Sequence, residues 1–274
     1  MTSQLHRAAA FEALHTRPGM FLMPNPWDVA SAKLLAGLGF EALATTSSGF
    51  AATGGRADYQ VTRDMTMAHI RTLAEATSLP LSADLENGFG DRPEDCAETI
   101  RLGAEAGLVG GSIEDFTGNP AEPQYPLEAA ADRVRAAVEA ARSLPFRFML
   151  TARAENFFTG VPDLADTIRR LQAYQEAGAD ILYAPGLRSL ADIRSVISSV
   201  DRPVNVLARP KALPVSLQDL QAAGVKRISL GPLLFNTAYG ALVAAGTELL
   251  QTEGFGFAGL ARSGDELIAM MAKA

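Results

Sequence analysis

The run SADLENGFGD, residues 82–91, holds the residues best spaced for chemistry. It follows Leu79-Pro80-Leu81, which predicts a short apolar strand with Asp84 and Glu86 at its far end. Side chains alternate along a strand, so the two carboxylates are expected on one face, about 6.6 Å apart along the backbone at roughly 3.3 Å per residue. One could hold a metal directly and the longer Glu86 through a water. Gly88 and Gly90 then let the chain turn away and leave the mouth open. Glu114 ends another apolar strand, 109–114, and would face the same hollow. Asp84, Glu86 and Glu114 make an oxygen-only environment that suits Mg2+ or Mn2+ rather than Zn2+. Arg153, just past a strand over 146–152, presents a planar fork that can grip a substrate carboxylate. Its other available partners are Glu155, Asp180 and Glu114. Ser47, Ser48 and Gly49 offer N–H groups and a hydroxyl to a carboxylate or oxyanion. Trp27 and Asn205 complete a ring of residues at strand ends.

Such a ring needs a scaffold that gathers strand ends. Strand patterns at 21–23, 42–45, near Leu81, and at 109–114, 146–152, 181–183, 204–207 and 228–230 alternate with helical spacing, as over 64–76, 92–106, 127–142 and 163–177. Eight such units in 274 residues predict a (β/α)8 TIM-type barrel in preference to a doubly wound open sheet. The chain reads as one barrel domain, 1–274, with residues about 240–274 as a C-terminal helical segment. Chemistry in a barrel collects at the carboxyl ends of the strands, where these polar residues fall.

Bulk properties narrow the partners. A net charge of −7 with 24 scattered Lys and Arg gives no nucleic-acid footprint and no polybasic membrane patch. Small molecules are the expected partners. Cys96, the single cysteine, excludes an internal disulfide framework and cysteine-rich metal sites, and fits a reducing, cytoplasmic setting. No apolar run of about 18 residues stands out as a membrane span. His6, His15 and His69 lie on helical stretches as surface or packing residues, and Cys96 reads as buried and inert.

The motifs NPWDVASA (25–32), TTSSG (45–49), DLENGFG (84–90), GGSIED (110–115) and TARAEN (151–156), with the late GVKRISLGP (224–232), occur in order over nearly the whole chain. In these the chain resembles the isocitrate lyase/phosphoenolpyruvate mutase family. The resemblance implies an (α/β)8 barrel, usually tetrameric, with final helices exchanged between neighbouring subunits; a homodimer is the other expectation. It implies Mg2+ near Asp84, with Glu86 and Glu114 reaching it directly or through water. Ser47, Ser48 and Gly49 would hold a 2-oxo acid's carboxylate and Arg153 would contact the substrate. Asp58 matches an aspartate carried on a gating segment; here that is the loop 53–64, with Gly54 and Gly55 as hinge. The loop is expected to be a mobile lid that brings Asp58 in with the substrate. The departures are specific. Residues 116–126, FTGNPAEPQYP, lack the Lys-x-Cys-Gly-His run of the isocitrate and methylisocitrate lyases. Ala184-Pro185-Gly186 stands where those lyases place a glutamate, and the Lys-Arg-Asn-Ser lid run of the phosphonate enzymes is absent. What remains implies a Mg2+-dependent lyase that breaks a C–C bond of a small 2-oxo acid, an oxaloacetate-like dicarboxylate, through a metal-stabilised enolate, with Asp58, Arg153 and Ser47 as catalytic residues. The alternatives are a phosphonopyruvate-type hydrolase or mutase acting on a P–C bond, and a 2-oxo acid-binding protein without turnover.

Overall fold

A computed structural model describes residues 3–252 and 254–274. Eight parallel strands, β1 (Phe21–Met23), β2 (Leu43–Ala44), β3 (Leu81–Asp84), β4 (Gly110–Glu114), β5 (Met149–Arg153), β6 (Ile181–Tyr183), β7 (Val204–Leu207) and β8 (Arg227–Ser229), pair in the order β1-β8-β7-β6-β5-β4-β3-β2. Ala44 N donates to the Pro24 carbonyl at 3.1 Å across the remaining seam, so the sheet is a nearly closed barrel, as the strand–helix alternation predicts. The outer helices are α2 (Val29–Gly37), α4 (Arg63–Ala76), α5 (Pro93–Glu105), α6 (Leu127–Arg142), α7 (Leu164–Glu176), α8 (Leu190–Ser198) and α9 (Leu217–Ala222). Their starts follow local chemistry. Asp28 caps α2 by accepting from Ser31 N at 2.7 Å, Pro93 opens α5, and Asp163 and Ser189 cap α7 and α8.

Two local expectations change. The strand expected over 146–152 begins at Met149 and runs through Arg153, so Arg153 belongs to β5 and does not lie past it. Arg147 instead turns out to ion-pair with Asp180 and Glu12. The TTSSG segment is more than a turn. Thr46 caps a helix, α3 (Ser47–Thr53), by accepting from Gly49 N at 3.3 Å.

The N-terminal helix α1 (Gln4–Thr16) closes the barrel at the end opposite the polar ring. Phe11 packs so near Gly110 that a Cβ there would lie 2.7 Å from its ring. His15, on α1, is buried; its Nδ1 lies 2.8 Å from the Phe11 carbonyl and its Nε2 3.3 Å from Arg227 Nη1. A neutral ring protonated at Nδ1 satisfies both neighbours. Burial, then the Arg227 charge, pulls its pKa down to about 3. The folded state therefore binds fewer protons than the unfolded chain between the usual histidine value and about 3, and stability falls as pH drops through that window. By about pH 5 the loss is about 2 kcal/mol. Urea midpoints measured between about pH 7 and 5 should fall less steeply for His15→Gln than for wild type.

The C-terminal segment comprises α10 (Leu233–Thr252), a 3-10 turn (Gly256–Leu260) and α11 (Gly264–Met271). α11 returns to α2, where the Met270 carbonyl oxygen lies 2.1 Å from where a Gly37 Cβ would be. α10 stands away from the barrel, with Leu242, Val243 and Leu250 exposed by 65%, 67% and 89%. By length and composition its stretch Leu233–Gln251 could cross a membrane, which corrects the sequence expectation that no such run exists. Its apolar character is spread among Ala, Gly and Leu and broken by Asn236, Thr237 and Glu248, so no single block announces it.

Candidate active site

Strand register builds the site. Glu114 pairs with Arg153, Arg153 with Tyr183, Tyr183 with Asn205, and Asn205 with Arg227. Register partners on neighbouring strands point to one face, so these side chains form a single belt inside the barrel. Arg153 is its hub: Nη1 lies 3.3 Å from Asp84 Oδ2 and 3.1 Å from Glu114 Oε2, while Nε donates to Glu155 Oε1. The Tyr183 ring lies beneath it, 5.3 Å from the guanidinium carbon. Burial opposes the Arg153 charge, but the carboxylates of Glu114, Glu155 and Asp84 outweigh burial and hold its pKa well above the usual value. Burial in turn pushes the Glu114 and Glu155 carboxyls up. Arg153 thus pairs with Glu114 and Glu155. Asp180 is not its partner, being held by Arg142 and Arg147. Nη2 makes no hydrogen bond among the described residues, which leaves one edge of the fork for the cavity that Arg153 lines.

The two acids of DLENG do not share a strand face. β3 ends at Asp84, and Glu86 has a left-handed backbone with φ of 50°. Strict alternation requires extended chain, and here the chain has already turned. Asp84 Oδ2 accepts from Ser47 Oγ at 3.2 Å, and the Asp84 N–H donates to Thr45 Oγ1 at 3.1 Å. Glu86 is buried, its N–H lies 3.3 Å from Asp84 Oδ1, and its Oε1 has no hydrogen-bond partner. Burial, then the charges of Asp84 and Asp58, raises the Glu86 carboxyl to about 8. A buried carboxylate oxygen without a donor is costly unless a proton or cation satisfies it. Asp84 and Glu86 therefore fit a hard divalent cation by donor type and by this orphaned oxygen. Glu114 is committed elsewhere, with Oε1 accepting from Tyr59 and Oε2 facing Arg153. Arg153 stands between Asp84 and Glu114, so among the described residues no three His, Cys, Asp or Glu side chains already form a cage.

Other sequence-derived candidates divide. Ser47 and Ser48, in the first turn of α3, line the main cavity. Gly49 does not, and its N–H is taken by the Thr46 cap, so it cannot serve as a cradle. Trp27 also lies outside the lining, edge-on to Phe235 at 5.5 Å between ring centroids. Asn205 lines the cavity, but its amide is tied to Ser229 Oγ at 2.9 Å and Arg227 Nε at 2.8 Å. Cys96 is buried and its thiol is pushed up to about 11 by burial, in keeping with an inert role.

The loop carrying Asp58 is folded over the mouth, with Asp58 lining the cavity. Burial and then the Asp84 charge raise the Asp58 carboxyl. Tyr59, which sequence reasoning missed, has φ of 61°, donates its hydroxyl to Glu114, and sets its ring 5.0 Å from that of Phe116. It also lines a second cavity of about 530 Å3, onto which Glu86 opens. A tyrosine beside the gating aspartate was the only available signal. Losing this latch in Tyr59→Phe should speed amide exchange over residues 55–62 about tenfold, the value of a hydrogen bond to a charged group. Unchanged exchange would remove the latch.

The main cavity measures about 900 Å3. Its polar end is formed by Thr45, Ser47, Asp58, Asp84 and Arg153; its other walls come largely from loops after β4, β5, β7 and β8.

The profile of the phosphoenolpyruvate phosphomutase family matches residues 11–250. The 2-methylisocitrate lyase of Escherichia coli K12 is 31% identical over 203 residues, which are 71% of this chain and 67% of that enzyme. An oxaloacetate decarboxylase of Bradyrhizobium diazoefficiens is 25% identical over 214 residues, 76% of this chain and 73% of that one. Among solved structures, a Burkholderia cenocepacia J2315 protein provisionally described as a lyase/mutase superposes with a TM-score of 0.95 at 52% identity, covering 98% of this chain and 96% of that one.

Proposed function

Because this chain belongs to the phosphoenolpyruvate phosphomutase family of lyases and mutases, we propose that it is a Mg2+-dependent lyase that breaks a C–C bond in a 2-oxo acid of the oxaloacetate type. The observation that carries this reading is the polar end of the cavity: one open edge of Arg153 beside Asp84, whose Oδ1 lies 3.3 Å from the N–H of Glu86, a buried carboxyl with one unsatisfied oxygen. Asp84 and Glu86 would hold the cation, while Glu114, engaged by Tyr59 and Arg153, would fix the Arg153 fork beside it. When bound, the cation supplies positive charge at the keto and carboxylate oxygens of the substrate and so favours bond cleavage toward an enolate.

The residues of the chain do the rest. Arg153 Nη2 and the first-turn N–H groups at Ser47 and Ser48 receive the substrate carboxylate. Ser47, held by Asp84, fixes the orientation of that turn. Tyr59 and Asp58 keep bulk water from the reacting bond while the loop is closed. The loop 116–126 contributes Phe116, Pro120 and Pro123 to the wall and has no Lys, Cys or His. No thiol acid stands there, so a reaction whose product can take its proton from solvent is favoured. Oxaloacetate meets that condition: its C3–C4 bond breaks, CO2 leaves, the electron pair stays with the pyruvate enolate, and solvent protonates C3.

Turnover of 2-oxo acids, malate-type acids and phosphonopyruvate with Mg2+, followed as pyruvate and phosphate, tests the reading. Pyruvate without phosphate supports it. Phosphate from phosphonopyruvate transfers the site to P–C chemistry, and tight binding without product leaves a binding protein; either result overturns it.

We also infer that α10 is covered by a second copy of the chain, as exchange of final helices between subunits would do. Burying Leu242, Val243 and Leu250 stabilises such an assembly by about 1.5–3 kcal/mol for each side chain. Leu242→Asp with Leu250→Glu should therefore shift the mass in light scattering to that of a monomer.

A further inference from the structure

Resting on the reading of the polar end as the 2-oxo acid site, the remainder of the cavity points to the substituent. A volume of about 900 Å3 lies near the top of the range, roughly 300–1,000 Å3, that accommodates drug-sized ligands. A four-carbon acid gripped by Arg153 would occupy a small part of it. The space beyond is walled by apolar groups from separate loops: Phe116 and Pro123 after β4, Phe158 after β5, Leu207 at the end of β7, and Leu233 at the start of α10. Phe158 is 43% exposed in the protomer, an unusual state for a phenylalanine that faces a cavity. Thr159, the next residue, accepts from Gln124 Nε2 and donates to the Glu155 carbonyl at 3.0 Å, which ties the β5 loop to the β4 loop.

The loop after β7 adds charge at this apolar wall. The Arg209 guanidinium carbon lies 5.0 Å from the centre of the Phe158 ring, and Arg209 and Lys211 both line the cavity. Neither has an ion pair or side-chain hydrogen bond within the described residues. A cation that spreads over an aromatic face keeps its N–H donors available at the ring edge. The cavity therefore joins the polar, anion-binding group around Arg153 to apolar side chains and to the cations Arg209 and Lys211, the first of them beside Phe158.

We propose that the substrate is a 2-oxo diacid with an apolar alkyl or aryl substituent larger than methyl, seated against Phe158 and Leu207, and that Arg209 receives its second carboxylate. Phe158 then determines specificity through the substituent, and Arg209 by orienting the C4 carboxylate that leaves as CO2.

The test is calorimetric binding of oxalate in the presence of Mg2+, then affinities read as KM for oxaloacetates carrying hydrogen, ethyl, butyl or benzyl at C3 and as inhibition constants for the matching 2-oxo monoacids. Oxalate reaches only the polar end. Affinity should rise about fourfold for each added methylene that the wall buries, and Phe158→Ala should flatten that series while leaving oxalate affinity within about twofold. Arg209→Gln should weaken the butyl diacid about tenfold or more, as expected for loss of a charge-assisted contact, with little effect on the corresponding 2-oxo monoacid. A flat series with normal oxalate binding overturns the substituent proposal and leaves the site assignment standing. Failure of oxalate itself to bind overturns the site assignment. Equal losses for diacid and monoacid in Arg209→Gln overturn its role as the carboxylate receiver.

Discussion

Asp84→Ala will lose all stabilisation by Mg2+ and will turn over substrate at least about a thousandfold more slowly, about 4 kcal/mol of activation free energy. Asp84 is the residue where the elements of the site meet. It accepts from Ser47, lies 3.3 Å from Arg153 Nη1, and takes the Glu86 N–H at 3.3 Å. Its removal takes away the exposed half of the carboxylate pair that would hold a cation. The metal-free variant behaves differently. The Asp84 charge is the second cause, after burial, of the raised Glu86 carboxyl, so removing it relieves repulsion at a group that has no donor of its own. Lost hydrogen bonds and relieved repulsion offset one another, and the metal-free variant should melt within a few degrees of wild type. Calorimetric melting with Mg2+ and with EDTA reads both halves. A variant that still gains stability from Mg2+ would place the cation elsewhere, and a metal-free variant that fails to fold would make Asp84 a structural residue.

Arg153→Lys will lose activity and stability together. An ammonium can meet one carboxylate well, whereas the guanidinium meets Asp84 and Glu114 through Nη1 and Glu155 through Nε while Nη2 stays open. The side chain is 11% exposed and those of Glu114 and Glu155 are 1% and 2%, so carboxylates left without a donor are left in a dry interior. A loss of about 2–4 kcal/mol is expected, toward the lower side of what breaking a buried pair costs because one charge is retained. For a chain of this size the melting temperature should fall by about 4–7 °C. Catalytic efficiency should fall about a hundredfold or more, since a point charge cannot replace the planar grip on a substrate carboxylate. The two effects separate in a double variant. Arg153→Met with Glu114→Gln should be more stable than Arg153→Met alone, because it removes an unpaired buried charge, and should recover no activity. If the double variant is no more stable, Glu114 is not paired with Arg153 in solution; if it regains activity, Arg153 does not grip the substrate.

Much of this architecture is legible along the chain because it depends on neighbours in sequence. Alternating apolar strands and helices, with Asp28, Thr62, Asp163 and Ser189 as caps and Pro93 at a helix start, set the order of eight β/α units. That order requires strand ends to gather at one rim, and so by itself brings Ser47, Asp84, Glu114, Arg153 and Asn205 together. Glu86 departs from this logic. Its place on the Asp84 face follows from strand periodicity, and a left-handed residue two positions beyond the strand cancels that rule. Gly49 and Trp27 depart because helix capping and aromatic packing claim their polar or planar groups first.

Partnership was decided in three dimensions. Nothing near Arg153 in sequence says that it meets Asp84, 69 residues away, or that Tyr59 reaches Glu114 across 55. Those contacts follow from the parallel register of β4 with β5 and from the fold of one loop across the barrel mouth. The same holds for Arg227, a cation on β8 whose burial between His15 and Asn205 comes from α1 closing the far end of the barrel. The sequence determined which residue types arrive at the rim, because periodicity and capping are local. The tertiary structure decided which of them are already satisfied and which remain open to a ligand, because hydrogen bonds and desolvation depend on what other strands and loops bring within about 3 Å.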